Sequence, residues 1–186
     1  MADNRLDRRT FIQCLSVLGA VSVTPLFGLS SAKEAGQSLR LWDPLSTEER
    51  QALKNSKMAG SILQYSNKRF SCAESLLMAS MEFLGKPREW ASLAGGFGGG
   101  LGQRDLCGLL TAGIMSIGVA AGIYCQNRRD FQEYIRKRRT MYWQWWQARS
   151  PIHCREMRIQ YDRPGYFRMV QRIAAQLEQL LAPEKS

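Results

Sequence analysis

None of the chain's five cysteines belongs to a CxxC pair, and it has a single histidine. Those two absences exclude the zinc-ribbon, thioredoxin-like and c-type haem attachment signatures, which all need close Cys–Cys or Cys–His spacing; no covalent haem is expected. No stretch alternates apolar and polar residues with a period of two, so nothing competes with a helical reading. The glycine run Gly95-Gly96-Phe97-Gly98-Gly99-Gly100-Leu101-Gly102 fits no register of GxGxxG, and no Gly-Lys-Ser/Thr follows it. A nucleotide-phosphate cradle is thereby excluded. The acidic residues are scattered without an acid–base pair, so no enzymatic apparatus is visible beyond the cysteines.

What is present begins with an address. Asp7-Arg8-Arg9-Thr10-Phe11-Ile12-Gln13 precedes an uncharged stretch from Cys14 to Ser31 that ends in the small residues Ser30-Ser31-Ala32. A basic region, an apolar region and a small-residue exit in that order resemble an export signal, and the paired arginines resemble the twin-arginine address. The expectation is a signal over residues 1–32, export to the periplasm, and a linker over 33–57. Because that route carries folded chains, it raises the odds of a centre assembled before export. Lys and Arg number 26 against 16 Asp and Glu, a net charge of +10. Such a surplus suits nucleic acid, anionic lipid or an acidic protein; export removes nucleic acid from the set.

The remainder, residues 58–183, reads as one all-α, bundle-like domain with a glycine-rich loop and a buried central helix. Apolar residues recur at helical spacing from Ala59 to Leu84, and Gly85 and Pro87 stop that helix. A short helix is expected around Arg88–Leu93, and Phe97 and Leu101 mark the glycine-rich stretch as a packed loop. Residues 106–125 carry no charge, which makes them a buried central helix or, alternatively, a membrane-associating segment; an uncleaved signal is the other route to a membrane. Asn127 caps a helix to about Ala148, one face of which carries Arg128, Arg129, Arg136, Lys137, Arg138 and Arg139. Asp162 and Pro164 start a last helix that ends before Pro183.

Outside the signal four cysteines remain: Cys72, Cys107, Cys125 and Cys154. Two disulfides are the default for an exported chain. Cys125 lies so far along the helix from Cys107, roughly 27 Å at 1.5 Å per residue, that it reads as a buried structural thiol, joining a shared site only through a sharp break or a second subunit. His153, beside Cys154, is a candidate further ligand or a surface residue at a helix start. Glu74 reads as a solvated or supporting group.

Ser71-Cys72-Ala73-Glu74-Ser75-Leu76, the glycine run, Cys107-Gly108-Leu109-Leu110-Thr111-Ala112-Gly113 and Cys154-Arg155-Glu156 stand in an order that resembles the redox-active protein family named for its C, CGAxxG, C, C pattern, itself related to the non-haem part of split-Soret cytochrome c. The chain departs from that pattern at Leu109 and Ala112, and the family's last cysteine, expected around Tyr166–Met169, is missing. The resemblance implies a redox or iron–sulfur centre at Cys72, Cys107 and Cys154. The expected function is electron transfer or redox sensing with a protein redox partner, docked electrostatically on the arginine-rich face. A homo-oligomer is one further arrangement. The rival readings are a non-redox structural subunit of an exported complex and a metal-free thiol–disulfide protein.

Overall fold

A computed structural model of the chain describes residues 45–160 and 162–183. The export signal expected over residues 1–32 and the first part of the linker lie outside the described residues. Among those described there is no β-strand, and the domain is all-α.

Ser46 starts α1 (Thr47–Asn55): its hydroxyl accepts the Glu49 N–H at 3.1 Å, and the Glu49 carboxylate accepts the Ser46 N–H at 3.1 Å. This reciprocal cap satisfies two amides that the helix leaves unpaired. The run from Ala59 to Leu84, expected as one helix, is two: α2 (Lys57–Ser66) and α3 (Cys72–Phe83). The break has a local cause. Ser71 and Glu74 form a second reciprocal cap, at 3.2 and 2.9 Å, and Arg69 turns the chain at φ 66° just before it. Apolar spacing alone does not register such a restart.

Past Gly85 and Pro87 a 3₁₀ segment covers Arg88–Phe97, longer than the short helix expected there. Then come α4 (Gly108–Tyr124), α5 (Arg128–Gln147), the short α6 (Cys154–Gln160) and α7 (Arg163–Leu181). Their starts follow the sequence: Asn127 accepts the Asp130 N–H at 3.0 Å, and Asp162 accepts the Gly165 N–H at 2.7 Å with Pro164 in the first turn.

The central helix is α4. It packs on α3 and α5 and also touches α7 and the 3₁₀ segment, burying Leu109, Leu110, Ala112, Ile117, Ala120 and Ala121. It is not enclosed on every side, as expected from its lack of charge: Ile114, Met115, Gly118 and Val119 are half-exposed and Gly122 is exposed. No described helix is long and apolar enough to cross a membrane; α4 has 17 residues. Small residues bring its backbone against α5, where Tyr142 and Trp146 are fully buried. Tyr142 donates to the Leu109 carbonyl at 3.2 Å, and its ring meets Trp146 edge-on at 5.9 Å.

Two further expectations are corrected. Arg138, placed with the arginine-rich face offered for docking, is buried; it donates to the Leu180 carbonyl at 2.6 Å and lies 4.2 Å from the Tyr134 ring centre. A guanidinium satisfied by a carbonyl and an aromatic face can be buried at tolerable cost. Leu101, expected to pack, is 46% exposed.

A Cβ on Gly113 would stand 2.5 Å from Cζ and Oη of Tyr142, and the fully buried ring has no room to retreat. Gly113→Ala therefore destabilises the fold by ~1–2 kcal/mol even after alanine's gain in helix propensity. Urea unfolding followed by circular dichroism checks this; an unchanged or higher midpoint refutes it.

Candidate functional site

Three of the expected residues meet. Cys72, Cys107 and Cys154 all line one solvent-connected cavity of about 490 Å³, together with Phe70, Ser71, Leu109, Met157, Arg158 and Tyr166. Each cysteine stands where a helix begins: Cys72 opens α3, Cys107 is the N-cap of α4, and Cys154 opens α6.

Backbone pairing positions the second and third of these. Residues 105–107 and 152–154 run antiparallel, with a single bridge between Leu106 and His153. The Cys107 N–H donates to the Ile152 carbonyl at 2.8 Å, and the Cys154 N–H to the Asp105 carbonyl at 2.6 Å. Side chains alternate sides along paired extended backbone, so Cys107 and Cys154 share the face that borders the cavity, whereas His153 is turned from it. His153 is instead 2.7 Å from an Asp105 carboxylate oxygen through Nδ1.

The glycine-rich stretch is a close-approach device. Asp105 donates back to the Gly100 carbonyl at 3.1 Å, and Gly100 has φ +65°, the left-handed region that glycine adopts without strain. A Cβ there would lie 2.7 Å from Cys154 Cβ and from the Asp105 backbone. Gly108 does the same for the first cysteine: a Cβ on it would stand 2.8 Å from Cys72 Sγ and 2.7 Å from the Phe97 carbonyl oxygen.

All four described cysteines are free thiols, so the two disulfides expected by default are not formed. The pairing could not be completed, because Cys125 lies at the opposite end of α4 from Cys107. It is half-exposed rather than buried and borders a separate cavity of about 390 Å³ with Tyr124, Asp130 and Lys137. Glu74 is the capping carboxylate of α3.

Cys72 and Cys107 sit in an environment that resists ionisation. Burial pushes the Cys72 thiol up, the Cys154 thiol adds to this, and the Gly99 N–H opposes both. Cys107 is pushed up to about 12, chiefly by burial and next by Cys72, against the Leu109 and Leu110 N–H groups. The site therefore holds Cys72 and Cys107 as neutral thiols with amide donors near their sulfurs, an arrangement in which a cationic group would favour thiolate. Among the described residues no three His, Cys, Asp or Glu side chains are grouped closely enough to hold a single metal ion.

Residues 70–179 match the family described as "Putative redox-active protein (C_GCAxxG_C_C)". The chain belongs to this family. No curated protein and no solved structure matches the chain. As a member of the family it is a redox-active protein, and the matched span contains all three cavity cysteines. Tyr166 and Met169, where the family's last cysteine was expected, both line the cavity. Sequence reasoning missed Phe70, Met157, Arg158, Tyr166 and the Leu106–His153 bridge. A one-residue bridge leaves no periodic signal, and only the packing of α6 and α7 shows which of their residues reach the thiols.

An unfolded cysteine ionises near 9.0, whereas folded Cys107 keeps its proton to about 12. Its contribution to stability is intact below the unfolded value and is lost as pH rises toward the folded one, by at most about 1.4 kcal/mol per pH unit. Urea unfolding between about pH 8 and about pH 10.5 should show a steeper loss for the native chain than for Cys107→Ala. Parallel slopes refute the assignment.

Proposed function

We propose that the cavity formed by Cys72, Cys107 and Cys154 is the redox centre of an exported electron-transfer protein, and that these three thiolates hold an iron–sulfur cluster. The observation that carries this reading is the convergence of three thiols from separated segments on one cavity. The donor set agrees: thiolates are the usual ligands of iron–sulfur centres, and N–H groups directed at the sulfurs help set their potentials.

Cys72, Cys107 and Cys154 would hold the group, and the amides of Gly99, Leu109 and Leu110 would lie about the ligating sulfurs. When bound, such a cluster supplies reversible one-electron transfer. The chain's own part is to orient the thiolates through the 105–107 and 152–154 pairing and to line the cavity with apolar side chains. Folded export by the twin-arginine route to the periplasm suits a centre loaded beforehand. The partner in this reading is an acidic redox protein, steered by the exposed Arg128, Arg129, Arg136 and Arg139 of α5.

Anaerobic purification, or reconstitution of the metal-free chain with iron and sulfide, tests the proposal through visible absorption and metal analysis. Thiolate-to-iron absorption is expected in the native chain and in Cys125→Ser, and its loss is expected in Cys107→Ser. A colourless native protein with four free thiols and no iron sinks the cluster reading. Thiol–disulfide exchange by that colourless protein would then assign redox activity to the cysteines themselves.

A further inference from the structure

The mouth of the thiol cavity carries positive charge that the fold does not use. Phe70 and Arg158 border the cavity directly. Lys68 and Arg69 stand immediately before Phe70, where Arg69 at φ 66° turns the chain toward α3. On α6, Arg155 and Ile159 are one turn apart and share a helix face beside Arg158. All six residues are exposed, Phe70 at 41% and Ile159 at 84%. Among the described residues none of the four cations is in an ion pair. Neighbouring carboxylates do little to balance them: Asp162 at the cavity wall accepts the Gly165 N–H at 2.7 Å, and Glu156 is half-buried.

Exposed apolar side chains set among arginines are the composition of a surface that binds a protein of opposite charge. A second copy of the chain does not fit, because a two-fold pair on this rim would set four cations against four. The basic face of α5 lies elsewhere. Arg128 and Arg129 open α5 just past the end of α4, and the 17 residues of α4 put that end roughly 25 Å from Cys107. Electron exchange falls steeply with distance, so charge on α5 steers an approaching partner while the cavity rim makes the contact.

We propose that the rim formed by Lys68, Arg69, Phe70, Arg155, Arg158 and Ile159 is the docking surface of an acidic redox protein. Carboxylates of that partner pair with the four cations, and its apolar side chains cover Phe70 and Ile159. One electron passes between the partner's redox cofactor and the centre in the cavity, and no covalent bond forms or breaks. The inference rests on the reading of the three-thiol cavity as the redox centre and adds the surface through which that centre is reached.

The test probe is a flavodoxin, an acidic one-electron protein, with the basic cytochrome c as the control of opposite charge. Binding to the full chain, both metal-free and reconstituted with iron and sulfide, is followed by surface plasmon resonance. Ile159→Ser should dissociate about tenfold faster at a native association rate, with its melting temperature unchanged. Arg155→Ser/Arg158→Ser should weaken binding about tenfold and flatten its salt dependence. Arg128→Ser/Arg129→Ser should slow association alone, and Met141→Ser, exposed on α5, should change neither rate. A native dissociation rate in Ile159→Ser, no flavodoxin binding by the native chain, or tighter binding to cytochrome c overturns the proposal. So does a dimer of the chain alone that Ile159→Ser disperses, which assigns the rim to a second copy. Retention on phosphatidylglycerol vesicles that Ile159→Ser abolishes, with flavodoxin binding kept, assigns it to lipid and equally overturns the proposal. If reconstitution yields no cluster, the cluster reading fails by itself, and the metal-free binding rates decide the docking surface.

Discussion

Two backbone hydrogen bonds bear most of the responsibility for this site. The amides of Cys107 and Cys154, bonded at 2.8 and 2.6 Å to carbonyls of the opposite segment, join two parts of the chain separated by the whole of α4 and α5. Without that pairing the start of α4 and the start of α6 would have no fixed relation. With it, two cysteines share a face, and the third is brought to them by the approach of α3 at Gly108.

The close approaches around this pairing explain why small residues cluster here. Gly100 and Gly108 each stand where a single added carbon would collide with a cysteine or with backbone. Farther along α4, Gly113 accommodates the Tyr142 ring, whose hydroxyl reaches back to the carbonyl of Leu109, itself a wall of the cavity. The core and the site are therefore one packed unit. Burial serves both: it supplies the apolar contact that holds the helices together, and it keeps the Cys72 and Cys107 thiols neutral until something cationic stabilises their thiolates.

Much of the architecture was legible in the residues because its causes are local. Capping at Asn127 and Asp162 depends on a side chain and an amide three residues away, so a linear reading finds it. The restart at Ser71 was written in the same chemistry, and the apolar spacing that ran across it concealed the break. Arg138 was misassigned for a different reason. Its burial depends on a carbonyl of α7, a partner no local pattern reveals.

The sequence by itself determined the helical class, the order of the helices, the family's cysteine motifs and the separation of Cys125 from Cys107, since each follows from residue type, spacing or the fixed rise of a helix. Only the tertiary structure decided that His153 faces away from the thiols and that Tyr166, Met157 and Met169 join them. Those outcomes depend on one isolated bridge and on how α6 and α7 pack, and contacts between distant segments carry no periodicity along the chain.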